Sequence, residues 1–370
     1  MDALRGGYRL ALLSLIALVC STTHVCAQPA SREQPRFGGI LRIAMASEPP
    51  SLDLHSSTAT ITGQIMGHVF EMLYAVDNDW SPAPYLAAGH TVTDGGRTYT
   101  IALRKDVRFH NGKPMTAADV VASLTRWGRT PSIGRTLWKS VEGVEAKSTH
   151  EIVIRLTRPS GVLLSALAGI SAAIYPKEIV EAAGNEPLRQ FIGTGPFRFV
   201  EHKPDRHVKL ARFSDYAARA EPANGTAGKR IAYLDELLFI PVPDTAVRMA
   251  GAESGTYHYS TQIKQDQYDR ILTLRSVEPR ITRPGTWVGA ILNHKQGLMK
   301  ARTLRQAFQS SLDMGPIMTA AVGHPLFYRL DPGLSPPEVV LWHSNAGGAF
   351  YNQQDTIKAQ RLTRANPFAG

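Results

Sequence analysis

Val107-Arg-Phe-His-Asn-Gly-Lys-Pro-Met-Thr-Ala-Ala-Asp-Val-Val121 is the stretch from which this chain is best read. Asn111-Gly112 is a tight-turn dipeptide, and Pro114 stiffens the way out of the turn. Thr116-Ala-Ala-Asp119 has the form of a capping box, with Asp in place of the usual Glu. Val120, Leu124 and Trp127 then supply a buried stripe at helical spacing. The stretch is expected to run turn, cap, helix, and to build scaffold without touching a ligand.

The pattern on either side is mixed. Upstream, Phe37 to Met45 is strand-like, and a loop with Pro49 and Pro50 follows. From Thr60 to Val76 the apolar residues Ile61, Ile65, Val69, Met72, Leu73 and Val76 recur at helical spacing. Asp94-Gly-Gly96 signals a turn before the alternating Tyr99, Ile101 and Leu103. Downstream, Ile152, Ile154 and Leu156 predict a strand, and Ser160 is placed to cap an apolar helix reaching Ile170. Gly193-Thr-Gly195-Pro196 leads into Phe197 and Phe199, with Val208 and Leu210 as hairpin partners. Ala217 to Lys229 reads as a small, polar surface loop. Leu237 to Val242 predicts a buried strand, Asp244 caps a helix from Thr245 to Ser254, and Trp287 to Asn293 predicts another strand. Leu304, Ala307, Phe308 and Leu312 mark a later helix. Strands and helices alternate without a fixed repeat, which places the chain among α/β or α+β folds.

Composition agrees. The chain has 370 residues, 43% hydrophobic and 19% charged, with 31 Gly and 24 Pro. That balance excludes a disordered tail, a coiled coil and a polytopic membrane protein. Lys and Arg number 41 against 31 Asp and Glu, a formal charge of +10 that favours acidic ligands or surfaces in general and specifies none. Residues 1–27 form an export signal: Arg5 and Arg9 give a basic head, Leu10 to Cys20 a short apolar run, and Val25-Cys26-Ala27 a cleavage site before Gln28. Neither Cys20 nor Cys26 follows a small residue, so a lipid anchor is not expected. Cleavage leaves no cysteine, which excludes thiol catalysis, Cys-based metal sites and disulfide support in the exported chain.

Local catalytic signatures are missing. The sequence contains no Gly-x-Ser-x-Gly elbow, no His-Glu-x-x-His zinc helix and no phosphate loop ending in Gly-Lys-Ser/Thr. The 12 histidines are scattered; His202 and His207 are spaced wrongly for a pair on one helix face. Basic residues are dispersed, so nucleic acid is not an expected partner. No metal or cofactor is expected.

Several stretches, kept in order from residue 38 to about 314, together resemble the family 5 solute-binding proteins that serve ABC importers of peptides, nickel and related solutes. They are Gly38-Gly-Ile-Leu-Arg-Ile43, Glu48-Pro-Pro-Ser-Leu-Asp53, Val69-Phe-Glu-Met-Leu-Tyr74, Pro84-Tyr-Leu-Ala-Ala88 and Asp94 to Arg104, followed by the stretch quoted first, with Asn111 where the family has Asp. Ile192 to Val200, Tyr233 to Leu237 and Val242 to Ala250 complete the set. The resemblance implies a periplasmic binding protein type II-like fold, with two lobes on a hinge and an additional small domain. Lobe I would take 28–53 and 187–280, the additional domain 54–186, and lobe II would begin at 281. Tyr351 to Leu362 resembles a family helix after which further elements are expected. Lobe II is therefore expected to be incomplete over 281–370, and the family's aspartate that pairs with a peptide ammonium has no matching position here. A remnant without a transport role is the corresponding alternative.

By the same resemblance the function is to bind a peptide-like solute outside the cytoplasmic membrane, in the periplasm, and deliver it as a monomer to the ABC permease subunits. A nickel complex, haem or an oligosaccharide is the alternative cargo, and an exported hydrolase the alternative from another class. Candidate ligand-contacting residues are Glu48, Pro49 and Pro50 in the loop after the first strand, and Trp138 after the signature helix. Thr194 in the Gly-Thr-Gly turn, and Trp287 and Asn293 flanking the hinge strand, complete them. None is catalytic.

Overall fold

Gly38 and Gly39 deliver the chain into its first strand, and Ile43 and Met45 of that strand enter the interior while Ile40 stays exposed. The computed structural model describes residues 34–130, 133–285 and 289–365; the signal-like segment 1–27 and Trp287 lie outside the described residues. The strands are β1 (Ile40–Met45), β2 (Tyr74–Val76), β3 (Pro82–Pro84), β4 (Ala87–Thr93), β5 (Thr98–Leu103), β6 (Val141–Ser148), β7 (Glu151–Leu156), β8 (Phe197–Lys203), β9 (His207–Arg212), β10 (Glu236–Pro241) and β11 (Tyr259–Ser260).

Two sheets carry most of the fold. The first has the order β11-β1-β10-β9-β8, the second β4-β5-β7-β6. In the first, β1 pairs in parallel with β10 on one side and with β11 on the other. The β8–β9 hairpin is antiparallel, with Phe199 opposite Leu210 as the sequence predicts. Ile43, Met45, Phe197, Leu210, Leu237 and Phe239 pack there against Ile65, Val69 and Tyr175. The second sheet is antiparallel throughout and buries Tyr99, Ile101, Leu103, Ile152 and Ile154 against the helix Ala117–Trp127. Val120, Leu124 and Trp127 of that helix are fully enclosed, each worth about 1.5–3 kcal/mol of apolar burial. None of the helices is long and apolar enough to cross a membrane among the described residues.

The signature folds as read. Phe109 N–H donates to Lys113 O at 2.9 Å across the turn, and Gly112 sits at φ +81°. The Asp119 carboxylate accepts from both the backbone N–H (2.8 Å) and the hydroxyl (2.7 Å) of Thr116. Its other oxygen accepts from Lys177 N–H at 2.8 Å, at the start of the helix Lys177–Ala183. The cap thus joins two helices as well as opening one.

Three expectations need correction. The helix read over Thr60 to Val76 spans only Thr60–Met66. Beyond it, the carbonyls of His68 and Val69 accept from Phe197 N–H (3.1 Å) and Gly195 N–H (2.9 Å), and β2 pairs with β3. Val69, Phe70, Leu73 and Tyr74 are buried because chain surrounds them, so apolar recurrence there is not a helical face. The helix expected from Ser160 to Ile170 spans only Leu163–Leu167 and is opened by Val162; Ser160 instead accepts the Tyr99 hydroxyl on its carbonyl at 3.1 Å. Residues 289–293 form no strand, and Ile291 is fully exposed. Ala217 to Lys229 is a surface loop as expected, and it is tied down across β2–β4: Arg219 donates to Tyr85 O (2.7 Å) and Ala87 O (3.1 Å), and Thr226 N–H to Val76 O (2.7 Å).

Past residue 289 the described chain holds the helices Arg302–Ser311, Met314–Val322 and Thr356–Arg364, and no strand. Asp355 N–H donates to Ser310 O at 2.8 Å and Met314 N–H to Asn352 Oδ1 at 2.6 Å, which seats the last helix against the first.

Candidate functional site

Parallel strands place their carboxyl ends on one edge of a sheet, and a crevice forms there where neighbouring connections diverge. β1 is that point in this protein: the chain from β10 crosses over it through the helix Thr245–Glu253 to reach β11 on its far side. The loops 46–50, 242–244 and 261–264 therefore leave the same edge. β8 runs in the direction of β10, so its end at Lys203 and the turn to His207 join them.

Glu48 is half-buried on this edge and its carboxylate meets the His202 imidazole across from the hairpin. Pro49 is buried behind it and Pro50 exposed. Beside them, the Glu201 carboxylate accepts from His207 Nε2 at 2.9 Å and from Lys203 Nζ at 3.0 Å, and these hydrogen bonds hold it below the usual carboxylate range. Pro243, Asp244 and Gln262 are exposed and Val242 is buried, so the two other loops present their tips to solvent. A groove of about 370 Å³ opens beside them, lined by Thr245, Met249, Glu253, Lys264 and Arg270.

The remaining candidates lie elsewhere. Thr194 is 2% exposed, and its hydroxyl donates to Glu71 Oε2 at 2.8 Å. The second Glu71 oxygen accepts from the Tyr216 hydroxyl at 2.7 Å; Arg230 donates to the Tyr85 hydroxyl at 3.0 Å and to Gly67 O at 3.1 Å. Burial pushes Tyr85 up to about 12 and Tyr216 higher, with the Glu71 carboxylate adding to both, so the two phenols remain donors. Trp138 closes the helix Ile133–Trp138 and meets Trp127 edge-on at 6.3 Å, on the side of the second sheet. Asn293 is exposed and accepts Lys295 N–H (2.9 Å) and Gln296 N–H (3.2 Å) on its own side chain. Only Glu48, Pro49 and Pro50, among the described candidates, share the sheet edge.

Sequence alone assigned no role to several charged residues that the fold buries, among them Asp53, which ends the Ser-Leu-Asp loop and is bound by Arg126, and Arg248, which lies under the edge loops; the half-buried Arg230 serves the Glu71 cluster. The available signal was a charge at a position where its neighbours pack inward, such as Arg248 beside Met249 and Gly251.

The family model for bacterial extracellular solute-binding proteins, family 5 Middle, matches residues 81–368. This chain belongs to that family. As a family 5 solute-binding protein it is 27% identical over 353 residues to a probable peptide ABC transporter periplasmic-binding protein of Sinorhizobium fredii. That match covers 92% of this chain and 65% of the relative, so the chain spans less than two thirds of that relative's length. Among solved structures it resembles AgaA of A. tumefaciens R10 in complex with agropinic acid (TM-score 0.73, 21% identity, 90% of this chain and 65% of that one). It also resembles DppA of Helicobacter pylori in complex with the peptide STSA (TM-score 0.71, 20% identity, 91% and 68%). At these identities the likeness is one of fold, and it bears out the periplasmic binding protein type II-like class.

Proposed function

We propose that this chain is the extracytoplasmic solute-binding component of an ABC importer, and that the carboxyl edge of the β11-β1-β10-β9-β8 sheet is one wall of its solute site. The observation that carries the reading is that the parallel strands β1, β10 and β11 end together on that edge, where the connection from β10 crosses β1 to reach β11, in a chain of this family. Lobe I comprises 28–53 and 187–280, the source of all five strands of that sheet; 54–186 is the additional domain around the second sheet, and lobe II begins at 281. The solute is peptide-like, in keeping with the peptide transporter component it matches over 92% of its length. Glu48 and Pro50 face it, with Pro49 buried behind them, while Thr194 and Trp138 serve the surrounding scaffold. The solute is held without covalent change and passed by a monomer to the permease. Closure of the lobes follows from tighter binding in the closed state.

The test is a thermal shift of the full chain against dialanine, tetra-alanine and reduced glutathione, with each mixture then analysed for cleavage. Binding at 100 times the dissociation constant adds about 2.7 kcal/mol and raises Tm by several degrees. Absence of any shift at millimolar peptide, or hydrolysis of the peptide, overturns the reading.

A further inference from the structure

The guanidinium of Arg248 lies beneath the sheet edge and donates hydrogen bonds to both exposed loops at once. Arg248 is 2% exposed and stands on the helix Thr245–Glu253, which links β10 to β11. Its Nη1 donates to Val242 O (2.7 Å) and Pro243 O (2.8 Å), on the loop that leaves β10. Its Nε donates to Thr261 O (3.0 Å) and its Nη2 to Gln262 O (3.0 Å), on the loop that leaves β11. Nη2 also reaches the Thr245 hydroxyl at 3.2 Å. Five acceptors surround the fork, and none is a carboxylate. Burial therefore lowers the affinity of the group for its proton, opposed only by the charge of Asp244.

A buried cation with no carboxylate hydrogen-bonded to it is a costly way to fill space, whereas a planar fork with five donors suits converging carbonyls. The two loops flank β1 on opposite sides and share nothing else in sequence. Each is also anchored to β1 itself, through Val242 N–H to Met45 O (2.8 Å) and Thr261 N–H to Ala44 O (3.0 Å). At Gln262 the backbone adopts φ +51°, a left-handed conformation that an amide side chain does not require and that the surroundings must impose. The carbonyls on both sides of that turn, Thr261 O and Gln262 O, are the ones directed at Arg248.

We propose that Arg248 is a positioning residue of the solute site: it fixes the loops 242–245 and 261–262 as one rigid unit at the sheet edge, so that their exposed backbone meets the solute preorganised. The role rests on the assignment of that edge as the solute wall, and it requires the shape of the fork rather than the charge.

Two substitutions separate shape from charge. Arg248→Lys keeps the charge and loses the fork; Arg248→Met keeps most of the volume and loses both. Amide hydrogen exchange of the unliganded full chain is expected to speed up at 242–246 and 261–264 by about tenfold or more in both variants, while β1 and β10 stay protected. Unchanged loops, a response in one loop only, or uniform loss of protection across the sheet would each overturn the positioning role. If the Met variant does not fold, Thr245→Val, which removes one acceptor, is expected to give the same pattern at a few-fold amplitude. The second measurement is tetra-alanine affinity by titration calorimetry. It is expected to weaken about tenfold in both variants, because a loosened wall must be ordered on binding. A lysine variant with the affinity of the parent chain shows that charge suffices and refutes the proposal. Failure of the parent chain to bind tetra-alanine counts against the solute reading, and the exchange pattern still decides whether Arg248 couples the loops.

Discussion

Asp53 and Arg126 are 73 positions apart and meet in the interior, with Arg126 Nη2 donating to Asp53 Oδ2 at 2.8 Å and Nη1 to Oδ1 at 3.3 Å. Leu188 N–H (3.1 Å) and His55 N–H (2.9 Å) fill the remaining lone pairs of the carboxylate. Burial opposes ionisation, but the Arg126 hydrogen bonds, the Leu188 amide and the charge of Arg126 outweigh it and hold Asp53 below its ordinary 3.8. Arg126→Met strands a fully buried carboxylate, and a loss of about 3–5 kcal/mol is expected in urea denaturation. Three histidines set the acid limit in a different way. Burial is the leading cause that holds His55, His68 and His110 at about 4, against an ordinary 6.5. The unfolded chain takes up these protons as pH falls through 6.5, and the native chain refuses them until about 4. Their contribution is complete above pH 6.5 and shrinks between 6.5 and 4, by up to about 1.4 kcal/mol per pH unit for each histidine. Asp53 adds a further loss below the carboxylate range. A denaturation midpoint that stays flat from pH 7 to 4 contradicts this account. His110 was legible as part of a motif, but its task was not. Its Nδ1 accepts Gly193 N–H at 3.2 Å and its Nε2 lies 2.9 Å from Gly195 O, so it links the signature turn to the Gly-Thr-Gly turn.

At the scale of elements, the turns separate local need from tertiary need. A Cβ on Gly112 would meet nothing within 4 Å, and only its φ of +81° calls for glycine. Gly112→Ala is therefore expected to cost about 1 kcal/mol. A Cβ on Gly193 would lie 2.0 Å from Val69 O and 2.7 Å from the Phe70 ring. Gly193→Ala must push backbone apart inside the first core, and a loss of about 3 kcal/mol or more, or failure to fold, is expected. Comparing the two midpoints by circular dichroism tests the ordering. The Asn-Gly turn and the Thr116 cap could be read because their chemistry is confined to four residues. Gly193 could be recognised as part of a turn, but the carbonyl that excludes a side chain belongs to a segment that reads as helix and is not one.

For the whole molecule, the question is how residues 289–365 are held to the sheets. Ring contacts converge on Tyr268 of the helix Tyr268–Leu272: Phe327 at 5.2 Å and His324 at 5.9 Å, with His324 Nε2 also 3.8 Å from Asp269. Among the described residues these are the aromatic contacts that bridge the chain before residue 280 to the chain after 289. Leu334, Val340, Phe350 and Ile357 are meanwhile exposed. Edge-on aromatic pairs contribute about 0.5–1.5 kcal/mol each beyond burial. Tyr268→Ala should therefore speed proteolysis and amide exchange over 289–365 and leave β1 and β10 unaffected. Equal protection of 289–365 in both proteins would show that the segment is held by other contacts.

Local patterns along the chain were enough to read the α/β class, the turn–cap–helix of 107–127, the β8–β9 hairpin, the capped helix after Asp244 and, through the ordered motifs, the family. Those features depend on neighbours within a few residues, or on patterns of burial with a regular period. Tertiary structure alone decided where the helix from Thr60 stops, that Thr194 serves Glu71, and that Arg126 and Arg248 are buried. It also decided that three separate loops share an edge with Glu48. A hydrogen-bonding group is committed by whichever backbone or carboxylate comes within about 3 Å of it, and that neighbour is set by chain crossings that leave no mark on the adjoining residues.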